Sequence, residues 1–178
     1  MRHFVPLVSL LSALCVTAQS ADEIAKAPEE IVKDGISELR IGMASEEEAT
    51  RQAAFDKFMP TEAHVTLLFG EDHAKSLWEK MGPGLKRMRE NTGEYLKSPT
   101  AKKEIVGIEV IDVRTEPSSG PSYGRVLKMI PETIPVYRAV IRYETSTSGS
   151  SAYLVIDGNM VFFRGLSSIP EFIDSLKK

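Results

Sequence analysis

Residues 135–165 read PVYRAVIRYETSTSGSSAYLVIDGNMVFFRG, and this stretch decides the fold. Two runs rich in β-branched and aromatic residues, 136–144 and 152–156, flank a polar Ser/Thr-rich segment, 145–151. Asp157-Gly158-Asn159 then leads into a third such run, 160–164. Side chains of these types fit a pleated, half-buried surface. Asp-Gly between apolar runs is a strong hairpin signal, because glycine reaches positive φ without steric cost. The stretch predicts an antiparallel meander, with 145–151 as a mobile hairpin tip. Its apolar face needs a cover from the rest of the chain.

Upstream, residues 104–114 (EIVGIEVIDVR) read as another strand. Val106, Ile108 and Val110 share one face; Ile105, Ile111 and Val113 share the other, as in a central strand covered on both sides. Residues 123–130 read as a further strand, and Pro131 and Pro135 make it an edge or a bend.

Before residue 98 the period is helical. Ile31, Val32, Gly35, Ile36 and Leu39 predict a helix over 28–40, with Pro28 in its first turn. Ser45-Glu46-Glu47-Glu48 has the pattern of a capping box for a second helix ending near Met59. Thr61 or Pro60 opens a short helix to Phe69. Asp72 is placed to cap the next, where Ala74, Leu77, Trp78 and Met81 share a face. Gly82-Pro83-Gly84 is expected to break or sharply kink it, with a continuation carrying Leu85, Met88 and Tyr95 to about Lys97. Ser168-Ile169-Pro170-Glu171 opens a short last helix. Helices first, antiparallel strands next and one final helix define an α+β domain. The expected form is a curved antiparallel sheet of about five strands, with helices packed into its concave face.

The chain has 178 residues, and residues 1–20 have the pattern of a signal peptide. Arg2 and His3 precede an apolar run, 4–16, that is shorter than the roughly 20 residues a membrane helix needs. Residues 21–178 then form a single exported domain, periplasmic or extracellular, with no transmembrane segment. Cys15, the only cysteine, lies in the leader, so the mature chain has no disulfide and no thiolate nucleophile. The mature chain carries 21 basic and 25 acidic residues, and nucleic acid is not an expected partner. Charge is uneven: residues 21–79 hold 14 acids and 6 bases, residues 80–103 hold 7 bases and 2 acids. Lys86, Arg87 and Arg89 in the second segment are candidates for contact with an anionic surface or ligand.

Histidine spacing points to no metal site: His64 and His73 are nine apart and no H-E-x-x-H occurs. No cofactor motif is present either. Gly120-Pro121-Ser122-Tyr123-Gly124 resembles a nucleophile elbow only superficially, since a strand is expected where a helix is required.

The order of helices and strands, with the hairpin of residues 138–143 and 153–163 and its Asp157-Gly158-Asn159 turn, resembles the NTF2-like (cystatin-like) superfamily. In that superfamily N-terminal helices are wrapped by a strongly bent antiparallel sheet. The runs FMPTEAHVTLLFG, VLKMIPETIPVYRAVIRY and SSAYLVIDGNMVFFRGLSSIPEF resemble secreted bacterial proteins that bring no known activity with them. The superfamily includes isomerases, dehydratases, binding modules and scaffolds, so the resemblance implies a cone between sheet and helices without choosing its use.

Its enzymes place an Asp/Tyr or Asp/His pair in that cone, which makes Asp112, His64 and Tyr137 the catalytic candidates. Asp112 has a plain alternative in a salt bridge with Arg114. Tyr143, Tyr153, Arg138 and Arg142 are the ligand-binding candidates, the arginines as grips for an anion. Trp78 is read as a core anchor. The function expected is non-enzymatic binding of a small molecule or a protein partner, with a homodimer through the sheet as one arrangement. The alternative is a cofactor-free dehydratase or isomerase with an acid/base group in the cone.

Overall fold

The computed structural model describes residues 26–99, 101–116 and 123–176. The expected signal peptide with Cys15, and the Gly120–Ser122 part of the elbow-like motif, lie outside them. The domain is α+β. Four helices come first: α1 (Pro28–Met43), α2 (Glu48–Phe58), α3 (Glu62–Phe69) and α4 (Glu71–Glu90). Strands β1 (Ile105–Asp112), β2 (Val136–Tyr143), β3 (Ser146–Ile156) and β4 (Asn159–Phe163) follow, then α5 (Ile169–Leu176).

The strands pair antiparallel in sequence order, so the described residues form one four-stranded sheet with β1 and β4 at its edges. The β3–β4 turn has the expected cause. Asp157 and Gly158 both sit at positive φ (50° and 73°), the two-residue turn whose twist matches the flanking strands. Two register shifts curve the sheet. One leaves Val106 as an extra residue in β1 between Ile105↔Tyr143 and Gly107↔Arg142. The other lies between Arg138↔Ala152 and Val140↔Gly149. Extra residues of this kind bend a strand and re-aim its side chains.

Both faces of the sheet are covered. On one, Val136, Leu154, Val161 and Phe163 pack with Leu68, Phe69 and Leu77 of α3 and α4 and with Ile173 of α5. The Phe69 and Phe163 rings meet edge to face, 6.2 Å between centroids. On the other, Tyr137, Ala139, Tyr153, Val155 and Met160 pack with Val32 and Ile36 of α1 and Phe58 at the end of α2. Alternation along β3 and β4 sends neighbouring residues into different cores. The expected single concave face thus becomes two helical layers around one sheet.

Several expectations change. Residues 123–130 form no strand. Val126–Lys128 is a 3-10 turn, and the buried residues Tyr123, Val126 and Ile130 recur at helical rather than alternating spacing. The strand expected over 104–114 is β1, which among the described residues lies at an edge of the sheet rather than its centre, and Val106 is 59% exposed. The polar segment 145–151 is not a loop: β3 begins at Ser146, whose backbone pairs opposite Tyr143, leaving a two-residue connection at Glu144-Thr145. Helix α4 runs unbroken through Pro83. Proline there costs one donor to the Glu79 carbonyl, on an exposed face where water replaces it.

The helix ends also sort themselves out. Thr61 caps α3 as expected, with His64 as the reciprocal partner. Ser45 does not cap α2, whose flanking residue is Glu47 without a side-chain cap; the Ser45 hydroxyl accepts from the Glu47 amide instead. Asp72 lies inside α4, and Gly70 stands at its start with φ 75°. Ser168 donates to the Gly165 carbonyl, and Glu171 pairs with Arg125 at 3.3 Å.

Candidate ligand cavity

A cavity of about 540 Å³ lies between α1, α2, the end of α4 and the sheet. Small-molecule sites span roughly 300–1,000 Å³. Each wall follows from a local pattern. The α1 stripe that buries Ile36 brings Leu39 and Met43 to the cavity one turn later. Helix α2 supplies Phe55, with Met59 just past its end, and α4 supplies Met88. From the sheet come Ile141, Tyr143, Tyr153 and Phe162, which share a face because β2, β3 and β4 alternate. The Tyr153 and Phe162 rings lie 5.4 Å apart. The walls are mainly aliphatic and aromatic.

A few polar groups interrupt them. Arg40 of α1 donates a 2.6 Å hydrogen bond to the Tyr143 hydroxyl. Its other branch donates to the Lys103 carbonyl. The Arg40 guanidinium carbon lies 4.8 Å and the Lys103 ammonium 5.9 Å from the centre of the Tyr143 ring. Lys103 is held in turn by Ser146, at 2.9 Å. Burial pushes the Tyr95 hydroxyl above the usual tyrosine range, partly offset by Arg40. Burial likewise pushes Tyr153 up to about 12, with Tyr143 and Tyr123 adding to it. Both phenols therefore stay protonated at neutral pH and keep a hydrogen to give.

The 3-10 turn Thr92–Lys97 closes the end of the cavity. Thr92 is only 2% exposed, and its hydroxyl has no hydrogen-bond partner. Behind it lies Arg51, also buried. Arg51 donates to the carbonyls of Ser45 and Glu46, each at 2.8 Å, and makes no ion pair among the described residues. Its Nε is buried without a partner. A Cβ on Gly93 would stand 3.6 Å from the Arg51 guanidinium, so only backbone separates that charge from the turn. At the exposed rim stand Arg87, Asn91 and Glu94. Asn91 is tied to the Arg87 carbonyl at 2.8 Å and Glu94 to Lys97 at 2.6 Å.

Two of the four ligand-binding candidates, Tyr143 and Tyr153, line this cavity. Arg138 and Arg142 do not. They occupy the alternate positions of β2, and Arg142 pairs with Glu109 on the neighbouring strand. The three catalytic candidates also stand elsewhere. His64 accepts the Thr61 amide at 3.2 Å through Nδ1, and burial lowers its pKa. Asp112 accepts the Arg114 amide at 2.8 Å, which stabilises the turn after β1. Tyr137 pairs opposite Asp112 in the sheet, but its hydroxyl reaches Glu29, at 3.4 Å.

The Asp112–Arg114 contact is thus amide to carboxylate, not a salt bridge. The Arg114 guanidinium instead holds the carbonyls of Leu127, Ile130, Pro131 and Ile134 at 3.0–3.4 Å. Trp78 is half-buried against the α3–α4–α5 core and takes no part in the cavity. Of the basic cluster, Arg89 is engaged by Asp56 at 2.6 and 2.7 Å and Lys86 approaches Glu90 at 4.0 Å, leaving Arg87 at the rim. Among the described residues no three His, Cys, Asp or Glu side chains gather at a metal-binding distance. No described helix is long and apolar enough to cross a membrane.

Sequence reasoning missed Arg40 and Thr92, and it named Arg87 only as part of a basic cluster. Arg40 interrupts the apolar stripe of α1 one residue after Leu39, a signal that was present. Thr92 carried none, because its burial depends on how α4 ends. No family model matches the chain, and no curated protein or solved structure is significantly similar to it.

Proposed function

We propose that this chain is a binding domain for a small, largely apolar molecule seated between α1, α2, the end of α4 and the sheet. The observation that carries the proposal is a cavity of about 540 Å³ walled by side chains such as Phe55, Met59, Met88, Ile141 and Phe162. Water in a cleft of this size sits against a mainly apolar lining, and an apolar guest that displaces it removes that surface from water. The likeness to the NTF2-like superfamily is supported by the order of elements and by a cavity between helices and sheet. The expected export of the domain rests on residues 1–20 alone.

Titration with the neutral dye Nile red tests the proposal. The protein is expected to bind it with a blue-shifted, enhanced emission that octanol reverses. Met88→Trp, at a half-buried site on α4, should fill the cavity and abolish binding without lowering the urea midpoint. Absence of dye binding, or binding that survives Met88→Trp and an independent Ile141→Trp, would remove the cavity as the site.

A further inference from the structure

Apart from Glu94, the polar side chains of the cavity have hydrogens to give. Thr92 borders the cavity, and its hydroxyl lies buried in the wall without a partner. The Tyr153 phenol is 7% exposed and makes no hydrogen bond within the described chain. The Tyr143 oxygen accepts from Arg40, which leaves its own proton to donate. Arg87 makes no ion pair among the described residues, and its exposed side chain stands at the rim. Of the lining residues only Glu94 is acidic, and Lys97 neutralises it. Behind the turn, buried Arg51 adds a positive charge that no described carboxylate balances.

A buried donor without an acceptor costs free energy, and a set of them around one space favours an occupant rich in acceptors. Excess positive charge beside low-dielectric walls favours one that is also anionic. Resting on the binding reading above, we propose that the occupant is an amphiphile with a single carboxylate head. Its apolar body packs against Phe55, Met59, Met88 and Phe162. Its carboxylate lies toward the rim beside the Thr92–Lys97 turn and faces the Arg87 guanidinium. A simple monocarboxylic acid of medium chain length meets these requirements. A neutral alcohol fills the same apolar space but leaves the cationic end unanswered, and an amine meets repulsion there.

Calorimetric titration with octanoate, octanol and octylamine decides the matter, because the three share one tail. Octanoate is expected to bind about tenfold more tightly than octanol, the scale of one charge-assisted hydrogen bond, with octylamine weakest. Arg87→Gln should erase the preference for the acid over the alcohol. Equal affinity for acid and alcohol, or tighter binding of the amine, overturns the carboxylate assignment while the binding reading stands. If none of the three binds, both proposals fall.

Discussion

The Arg40 guanidinium donates to the Tyr143 hydroxyl at 2.6 Å, joining α1 to the end of β2 across 103 positions of sequence. The same side chain donates to the Lys103 carbonyl just before β1. One residue thus fixes the distance between the first helix and the sheet edge that together wall the cavity. Tyr143→Phe should cost about 1 kcal/mol, the net value of one such bond. Arg40→Met should cost more, because the Lys103 carbonyl also loses its partner. A double-mutant cycle read by urea unfolding should return a coupling of about 1 kcal/mol between the two sites. Full additivity would mean that this contact contributes nothing in solution.

Tyr153 makes a prediction at alkaline pH. Burial pushes its hydroxyl up to about 12 in the folded chain. In the unfolded chain a tyrosine titrates near pH ~10. The unfolded state therefore releases the proton first. The stability linked to Tyr153 is complete below about pH 10 and is lost as pH rises toward 12. Tyr137 is also pushed up to about 12, by burial and by Glu29 and Asp112, so the wild-type decline has two sources. Tyr153→Phe should make the fall of unfolding free energy above about pH 10 shallower and leave its slope unchanged near neutrality. A decline identical to wild type would mean that the Tyr153 phenol titrates as if exposed.

Local rules recovered local structure. Asp157-Gly158 announced its turn because two consecutive residues at positive φ strongly favour such a pair. Thr61 announced the start of α3 because its hydroxyl meets an amide only three residues away. What failed depended on distance. Tyr123, Val126 and Ile130 were read by composition as a strand. Their burial instead reflects a turn whose carbonyls are gathered by Arg114 from the end of β1. For the cavity, β alternation was enough to name Tyr143 and Tyr153. The same parity sends Arg138 and Arg142 to the other face. Arg87 and Thr92 reach the cavity only because α4 continues past Pro83, which local helix rules oppose.

Two glycines in α1 record close approaches that sequence alone does not reveal. A Cβ on Gly35 would stand 2.7 Å from the Met160 sulfur, and one on Gly42 would stand 2.3 Å from the Ala54 Cβ in α2. Alanine favours a helix over glycine by about 1 kcal/mol, yet overpacking costs about 1–3 kcal/mol. Gly42→Ala should therefore destabilise on balance. Moving the methyl rather than adding one tests the cause: Gly42→Ala with Ala54→Gly should recover most of the loss in urea midpoint. No recovery would point to the backbone of Gly42, not to contact between α1 and α2.

The middle of α4 supplies the opposite case. Gly84 is exposed, and nothing lies within 4 Å of the position a Cβ would take. Gly84→Ala should stabilise by about 0.5–1 kcal/mol through helix propensity alone. Pro83→Ala should also stabilise. It restores the amide donor facing the Glu79 carbonyl and removes a penalty of about 3 kcal/mol, less what the freer unfolded chain takes back. A net gain of about 1–2 kcal/mol is expected, with Nile red and octanoate affinities unchanged because the helix already continues past Pro83 to Arg87. Loss of stability in both variants would mean that the Gly-Pro-Gly segment is not helical in solution. The placement of Arg87 at the cavity rim would then fail with it, because that placement depends on the continuous helix.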